Sequence, residues 1–165
     1  AGGSIGTYAI QLAKLIGATV TVVDDATKLG LLKTIGADHL IDYRQQDFTR
    51  MDLKYHVIID IGGTSSFSRS LKCLKPEGRY VLGNPSFTGM MRGLWASWTS
   101  DKKVLSVLAG ENMEDYHYLK SLLSENKIEV AIDKRFPLDE IISAHQYVDD
   151  GYKKGNLIID VDSNQ

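Results

Sequence analysis

The sequence has a single cysteine, almost no net charge and no long run of apolar residues. Cys73 is the only thiol among the 165 residues, so the chain can form no internal disulfide, which fits a reducing cytoplasm. A net charge of −2 includes no excess of positive charge that would attract nucleic acid or an anionic membrane surface. No stretch of about 20 apolar residues could span a membrane, and no segment resembles a signal peptide. We therefore expect a cytoplasmic protein without nucleic-acid or membrane partners.

Patterns of metal ligands are also absent from the sequence. Its histidines are His39, His56, His117 and His145, and none has metal-ligand spacing with another histidine or with Cys73. We therefore expect this chain to bind no metal ion. A hydrophobic content of 43% with 24% charged residues is typical of an ordinary globular protein. The length is sufficient for one well-buried domain with a small appendage.

The chain opens on a glycine-rich segment at residues 1–6. Gly3 and Gly6 occupy the second and third glycine positions of a G-x-G-x-x-G fingerprint, and Ala1 replaces the first glycine. In dinucleotide folds the middle glycine lets the backbone approach a pyrophosphate, and the last glycine permits close helix packing. Apolar residues then recur at helical spacing, so the helix N-terminus would direct its N–H groups at an anion. An ordinary glycine-rich turn that precedes a helix has the same pattern, and the segment alone leaves both interpretations open.

No strand precedes this glycine segment in the sequence, whereas in a dinucleotide fold a strand leads into the loop. We therefore expect that the protein has an upstream portion outside these 165 residues. The sheet of this chain would then lack its first strand.

Two carboxylates end the β-branched run that follows the first predicted helix. Residues 19–23 have the composition of a buried parallel strand, and Asp24 and Asp25 come directly after it. Asp24 lies 18 positions after Gly6, close to the separation of about 20 at which a carboxylate meets the adenosine ribose hydroxyls. An acid at a strand end is also a common helix N-cap or a solvated charge, and these alternatives remain open, most of all for Asp25.

Strands and helices alternate along the rest of the chain, which predicts a parallel sheet covered by helices. The pattern predicts helices at 26–35, 66–74 and 113–123, strands at 39–41, 57–61, 79–82 and 104–108, and a turn at 75–78. Gly17 is expected to end the first predicted helix, and Gly36 the helix at 26–35. In such sheets ligands bind beyond the carboxyl ends of the strands. Asp24, the pair Gly62 and Gly63, and Gly83 with Asn84 would all lie at that edge.

Two further segments stand apart from this alternation. Met90, Met91, Leu94, Trp95 and Trp98 have helical spacing, which favours a buried or subunit-facing helix over the lining of a substrate pocket. From about Ile128 the pattern predicts an extended stretch to 136, a helix over 138–148 and a strand over 155–161. This tail does not resemble another nucleotide-binding half, and we expect it to pack on a part of the protein that is absent here.

The sequence resembles the medium-chain dehydrogenase/reductases, in particular their quinone-oxidoreductase-like and zinc-type alcohol dehydrogenase branch. The segments that match the family are residues 2–14, 35–43, 74–80 and 153–159. The resemblance implies an α/β, Rossmann-type doubly wound parallel sheet lacking its first strand, with a small C-terminal segment that would pack on an absent GroES-like catalytic domain. It implies a dinucleotide-binding domain over 1–127 and a C-terminal return over 128–165.

Several site residues follow from the resemblance, all of them for the cofactor and none for catalysis. It assigns Gly2, Gly3, Ser4, Ile5 and Gly6 to the pyrophosphate loop, Asp24 and Asp25 to the adenosine ribose, Lys28 and Tyr43 to the adenosine phosphate end, and Gly62, Gly63 and Gly83 to the nicotinamide end. A carboxylate accepts hydrogen bonds from a ribose diol and repels a 2′-phosphate, whereas Lys28 would attract one. The two acids favour NAD(H) over NADP(H). Any catalytic zinc would be bound by the absent domain.

The resemblance implies that the full-length protein transfers hydride between NAD(P)(H) and an alcohol, a carbonyl or an activated double bond of the quinone or enone type. The small-molecule substrate would be bound through the absent domain, and the protein could form a homodimer. A non-catalytic dinucleotide-binding sensor or scaffold is the alternative, since such a protein would keep the phosphate-binding loop and lack the catalytic groups. Zinc ligands or a proton donor in the absent domain would distinguish the enzyme from the sensor.

Overall fold

Parallel strands alternate with helices in the computed structural model of the chain, which describes residues 1–62, 65–83, 87–107, 110 and 112–161. The α-helices are α1 (Ser4–Leu15), α2 (Ala26–Thr34), α3 (Phe67–Lys72), α4 (Phe87–Thr99), α5 (Met113–Ser124) and α6 (Ile141–Asp149). The strands are β1 (Thr21–Asp24), β2 (His39–Asp42), β3 (Tyr55–Asp60), β4 (Leu74–Gly83), β5 (Lys103–Val107), β6 (Ile132–Pro137) and β7 (Asn156–Asp160). All strand pairs within the described residues are parallel. The Rossmann-like fold class is therefore confirmed.

The first of two compact units consists of Ala1–Gln46 and Met113–Gln165. In it β1 pairs with β2, and β6 pairs with β7. Its core contains side chains of α1, β1 and α2 and of the residues that follow α2, all at most 7% exposed, namely Ile10, Val22, Leu32, Ile35 and Ala37. The helical and strand periodicities of the sequence thus bring one apolar face of each element to a common core.

Glycines end the first two helices, as the sequence predicts. Gly17 follows α1 with a φ of +75°, and Gly36 follows α2 with a φ of +108°. These backbone conformations lie in the region that residues with a Cβ rarely adopt, so glycine is the residue best suited to end a helix in this way. The sharp ends of α1 and α2 direct the chain into β1 and β2.

The second unit, Asp47–Asn112, contains a three-stranded parallel sheet in the order β3-β4-β5. The turn predicted at 75–78 lies within the bounds of β4, and these four residues have no partner in the ladder with β3. The pairing register shifts there, so that Tyr55 pairs with Leu74 while Val57 already pairs with Arg79. Glu77 has a φ of +57° within this irregular stretch. The turn-forming residues therefore produce a bulge within one strand instead of separating two elements.

The C-terminal segment contacts the beginning of the chain within the first unit. Gly3 and Gly155 form an isolated parallel bridge, and the Gly155 N–H donates to the Gly2 carbonyl at 2.8 Å. The Gln11 side chain donates to the Glu129 carbonyl at 3.0 Å and accepts from the Glu129 N–H at 2.8 Å. The tail is therefore attached to the glycine segment and to α1. The predicted division at 127/128 stays a prediction.

Candidate functional site

The glycine segment forms the N-terminus of α1. Gly3 is the N-cap residue in an extended conformation without a side-chain cap, and the first helical hydrogen bond joins the Thr7 N–H to the Gly3 carbonyl at 3.1 Å. The N–H groups of Ser4, Ile5 and Gly6 therefore have no helical acceptor. The first turn of α1 contains no acidic residue that could compensate the positive end of the helix dipole. This end of α1 is suited to an anion.

The glycines of this segment differ in their surroundings. A Cβ at Gly6 would overlap the Ala1 carbonyl oxygen, and a Cβ at Gly2 would lie 2.8 Å from Cδ of Lys28. A Cβ at Gly3 would meet no described heavy atom within 4 Å. Gly6 and Gly2 therefore permit close packing of the segment itself. Gly3 leaves open space on the backbone, which a ligand can approach.

Asp24 holds the glycine segment against the end of β1. Its Oδ2 accepts from the Gly2 N–H at 2.5 Å, and its Oδ1 accepts from the Asp25 N–H at 2.8 Å. Burial raises the pKa of this carboxyl, but its hydrogen bonds, among them those from the Gly2 and Asp25 N–H groups, lower the pKa below its ordinary value overall. Because a carboxylate has about four acceptor positions, these two backbone donors leave capacity for a further donor.

Asp25 caps α2, which is one of the alternatives that the sequence left open. Its Oδ1 accepts from the Thr27 N–H at 2.9 Å, and its Oδ2 pairs with Arg44 Nε at 2.6 Å. The Thr27 N–H is the main cause that lowers the pKa of the Asp25 carboxyl. Asp25 thus stabilises the start of α2 as a negatively charged N-cap.

Lys28, Tyr43 and Arg44 lie near these two carboxylates. The alkyl chain of Lys28 packs on Gly2, and its ammonium forms no ion pair with another residue in the described part of the chain. Tyr43 follows β2 and is 55% exposed, and the Arg44 guanidinium lies 5.9 Å from its ring centre. The structure therefore brings Gly2, Asp24 and Lys28 into contact. Arg44, two residues after the end of β2, contacts both Tyr43 and Asp25, and sequence reasoning missed this residue.

Lys153 is a second residue that sequence reasoning missed. Its ammonium donates to Ser4 Oγ at 3.0 Å, and Ser4 Oγ donates to the Gly155 carbonyl at 3.1 Å. Lys153 follows Ser4 by 149 positions, so no local pattern indicates the contact. The C-terminal segment thereby adds a positive charge beside the N-terminus of α1.

The other predicted residues lie in the second unit. Gly62 follows the end of β3, and Gly83 is the last residue of β4. A Cβ at Gly83 would lie 3.3 Å from Cα of Ile61, so the ends of β3 and β4 are in close contact. Gly63 and Asn84 lie outside the described residues. The structure thus brings Gly62 and Gly83 near the same end of this sheet.

A buried hydrogen-bonded group lies beneath these strand ends. The Tyr80 hydroxyl donates to Asp60 Oδ2 at 2.8 Å, and Ser65 Oγ donates to the same oxygen at 2.6 Å. Tyr80 is fully buried, and burial, together with the hydrogen bond to Asp60, raises the pKa of its hydroxyl to about 12. The group connects β4, the end of β3 and the segment before α3.

Neither a metal site nor a transmembrane helix occurs in the part of the chain that the structure describes. Within those residues no three His, Cys, Asp or Glu side chains are arranged to hold a metal ion. None of the described helices is sufficiently long and apolar to cross a bilayer. The candidate residues of the first unit are therefore the glycine segment with the carboxylates and cations beside it, and those of the second unit are the strand-end glycines.

Comparison with known proteins shows which family this chain resembles. A family model described as zinc-binding dehydrogenase matches residues 35–159. A chloroplastic quinone-oxidoreductase homolog of Spinacia oleracea is 28% identical over 165 residues, which cover 97% of this chain and 50% of the relative. A zinc-type alcohol dehydrogenase-like protein of Schizosaccharomyces pombe is 24% identical over 173 residues, with coverage of 97% and 50%.

A solved structure has the same fold. The quinone oxidoreductase from Coxiella burnetii superposes with a TM-score of 0.83 and 30% sequence identity, covering 97% of this chain and 50% of that one. The present chain thus spans about half the length of the relatives that it matches.

Proposed function

Because the chain belongs to the zinc-binding dehydrogenase family, we propose that it is the cofactor-binding portion of a nicotinamide-dependent oxidoreductase. A dinucleotide cofactor is supported by family membership. The observation that carries the proposal is the N-terminus of α1, where Gly3 leaves space beside N–H groups that have no helical acceptor. A bound nicotinamide dinucleotide would supply or accept hydride. The reaction partner would be an alcohol, a carbonyl or an activated double bond in the quinone or enone class, bound by residues outside this chain.

The glycine segment would bind the pyrophosphate. The N–H groups of Ser4, Ile5 and Gly6 point from the positive end of the α1 dipole, and Gly3 permits close approach of the phosphates. Lys153 lies 3.0 Å from Ser4 Oγ and would add an ammonium charge to this site. Backbone donors would thus orient the pyrophosphate, and the lysine would increase the affinity.

The charges near β1 favour NAD(H) over NADP(H). The Asp24 carboxylate is held at the strand end by the Gly2 N–H, and its remaining acceptor capacity would accept from a ribose hydroxyl. Arg44 is already paired with Asp25, which reduces its attraction for a 2′-phosphate. Lys28 is the cation that would attract a 2′-phosphate and so favour NADP(H). Gly62, Gly63 and Gly83 would border the nicotinamide end.

The proposal is tested with the full-length protein, by titrating NADH and NADPH and following the quenching of intrinsic fluorescence. We expect tighter binding of NADH than of NADPH. Asp24→Asn removes the charge and keeps an oxygen that can accept from Gly2, so it should shift the affinity ratio toward NADPH by about tenfold, equivalent to about 1.4 kcal/mol. Asp24→Ser should shift the ratio in the same direction and also weaken both affinities, because its shorter side chain cannot hold Gly2.

Three outcomes would contradict parts of the proposal. Failure of the unaltered protein to bind either dinucleotide would refute cofactor binding. An unchanged affinity ratio in both Asp24 variants would show that Asp24 does not face the ribose. Tight NADH binding without turnover of any aldehyde, quinone or enone would support the non-catalytic sensor instead.

A further inference from the structure

Three hydroxyl side chains are arranged around the carboxylate that ends β3. The strand-end group consists of Asp60, Ser65, Ser70 and Tyr80. Asp60 Oδ2 accepts from the Tyr80 hydroxyl at 2.8 Å and from Ser65 Oγ at 2.6 Å. Ser70, which is fully buried like Tyr80, donates to Ser65 Oγ at 3.4 Å. Hydrogen bonds to a carboxylate are about twice as strong as those between neutral groups, so the two direct donors fix the position of this carboxylate.

Tyr80 reaches Asp60 diagonally across the ladder of β3 and β4. Tyr80 pairs with Ile58, and Asp60 pairs with Leu82. Because side chains alternate between the two faces of a strand, Asp60 and Tyr80 lie on the same face of the sheet as diagonal neighbours. The Tyr80 hydroxyl therefore connects β4 to the carboxyl end of β3.

The strand-end group also connects both sides of the segment between β3 and α3. Asp60 is the last residue of β3, and Ser65 lies two residues before α3, so their hydrogen bond joins positions on either side of Gly62. A Cβ at Gly83 would lie 3.3 Å from Cα of Ile61, so the end of β4 packs against the same backbone. The backbone at Ile61 and Gly62 is thus held from β3, from β4 and from the segment before α3.

Packing alone does not require the Tyr80 hydroxyl. The Tyr80 ring contacts the Phe67 ring edge-on with the ring centres 5.3 Å apart, and a phenylalanine ring could make the same contact. Replacing buried polar partners by apolar groups of the same shape is often neutral or stabilising. A hydrogen-bonded polar network in a core instead specifies one arrangement of the elements that it joins. The chemistry of the strand-end group is therefore suited to holding the strand end in a defined position.

We propose that the strand-end group positions the backbone at Gly62 for binding of the nicotinamide end of the cofactor. This inference rests on the proposed function, in which Gly62 and Gly83 border the nicotinamide. Ligands of parallel sheets bind beyond the carboxyl ends of the strands, where Asp60 and Gly83 lie. A backbone that is already held in its bound arrangement loses less conformational freedom on binding, which increases affinity. Tyr80 and Ser65 act through Asp60 and are positioning residues.

The test compares NADH with ADP-ribose, which contains the adenosine and both phosphates but lacks the nicotinamide. Calorimetric titration of the full-length protein measures both affinities, and their ratio reports on the nicotinamide end. We expect the unaltered protein to prefer NADH. Tyr80→Phe should reduce this preference about tenfold, because Asp60 loses a charge-assisted hydrogen bond, and it should leave the affinity for ADP-ribose unchanged. A general loss of folded protein would lower both affinities equally and leave their ratio the same.

A second pair of variants tests the hydroxyl of Ser65. Ser65→Ala should reduce the preference for NADH about fivefold, as expected for the loss of one hydrogen bond, whereas Ser65→Thr keeps a hydroxyl and should retain the preference. The matched control for Tyr80→Phe is Tyr147→Phe on α6, because the Tyr147 hydroxyl also donates to a carboxylate, Oδ2 of Asp133, at 3.0 Å. This control should leave the ratio of the two affinities unchanged.

The results separate this inference from the proposed function. If the unaltered protein prefers NADH and the preference is the same in Tyr80→Phe and Ser65→Ala, the positioning role is wrong and cofactor binding stands. Equal loss of both affinities in these variants would assign the group to stability alone and overturn the inference. Equal affinities of the unaltered protein for NADH and ADP-ribose would also overturn it, because the nicotinamide would then contribute nothing. Binding of neither ligand would refute the proposed function together with this inference.

Discussion

Gly3 and Gly6 are three positions apart in one segment, and the structure gives them different physical roles. Gly6 is packed against the backbone of Ala1, whereas the space beside Gly3 is open. The sequence pattern alone assigns both glycines to a pyrophosphate loop, because it gives their spacing along the chain and says nothing about the atoms around each of them. The distinction between a glycine required by the fold and a glycine required by a ligand comes from the tertiary structure.

This difference predicts different outcomes for two equal substitutions in the full-length protein. Gly3→Ala should lower the unfolding free energy by no more than about 1 kcal/mol, the cost of alanine at an N-cap, and weaken NADH binding at least tenfold, because its methyl group would occupy space needed by the phosphates. Gly6→Ala should lower the thermal midpoint more than Gly3→Ala does, because its methyl group would overlap the Ala1 carbonyl. Calorimetry and NADH titration of both variants measure the two effects. Equal NADH affinity in Gly3→Ala and the unaltered protein would contradict the assignment of the open space to a ligand.

Asp24 and Asp25 are adjacent carboxylates that a sequence pattern barely distinguishes, and the structure separates them. Asp25 caps α2 and pairs with Arg44, while Asp24 accepts from Gly2 across 22 positions. The N-cap was foreseeable because it depends on a helix that starts directly after Asp25. The contact of Asp24 with Gly2 was not foreseeable, because it depends on how the glycine segment packs against the end of β1.

Among the elements of the second unit, β3 and β4 are joined by the pair Asp60 and Tyr80 as well as by their backbone ladder. Tyr80 is fully buried, and its hydroxyl also lies 3.4 Å from Ser65 Oγ. This polar group contains several mutually satisfying donors and acceptors, which makes its burial compatible with stability. We expect it to fix the end of β3 near Gly62.

The raised pKa of Tyr80 predicts a loss of stability in alkali. The pKa in the folded chain is about 12 against an ordinary 10.0, so the stabilisation is complete below pH 10 and declines as the pH rises from 10 toward 12. Tyr80→Phe should remove this decline and cost about 1–2 kcal/mol at pH 7, because Asp60 loses a donor. Urea unfolding between pH 7 and pH 11 measures both effects. Tyr116→Phe on α5, at a position 60% exposed, is the control that should retain the decline.

Element boundaries show where sequence reasoning succeeds and where it fails. The ends of α1 and α2 were predicted correctly because Gly17 and Gly36 act locally. The turn at 75–78 interrupts the ladder as its residues predict, but the sequence could not show that Leu74 already pairs with Tyr55 ahead of it, so that β4 begins before the turn. The helical spacing of residues 90–98 was correct for α4, but spacing could not show that the small face is buried and the large face exposed.

At the scale of the whole molecule, residues 153–155 meet the glycine segment at the candidate pyrophosphate site. Lys153 and Gly155 both bond to Ser4, and Gly155 also bonds to Gly2. A Cβ at Gly155 would overlap the Ala131 carbonyl oxygen, and its φ of +85° further favours glycine there. The return of the chain to the glycine segment therefore depends on a position that only glycine occupies without strain.

Lys153 should contribute to cofactor affinity without contributing to the fold. We expect Lys153→Met to weaken NADH binding about tenfold and to reduce its dependence on salt, because one ammonium charge beside the phosphates is removed. Lys154→Met is the matched control, since it retains the backbone N–H that donates to Asp133 at 2.9 Å. Calorimetric titration at two salt concentrations measures the change. Identical salt dependence in all three proteins would exclude Lys153 from the site.

The sequence by itself determined the α/β alternation, the sharp helix ends and the resemblance to the dehydrogenase family, because these depend on residue type and on short spacings. The Rossmann-like fold and the family are confirmed. Only the tertiary structure decided that Asp24 holds Gly2, that Lys153 reaches Ser4 and that α4 exposes most of its large apolar side chains. Each of these depends on which surfaces meet after distant segments have packed, and no local pattern in the chain contains that information.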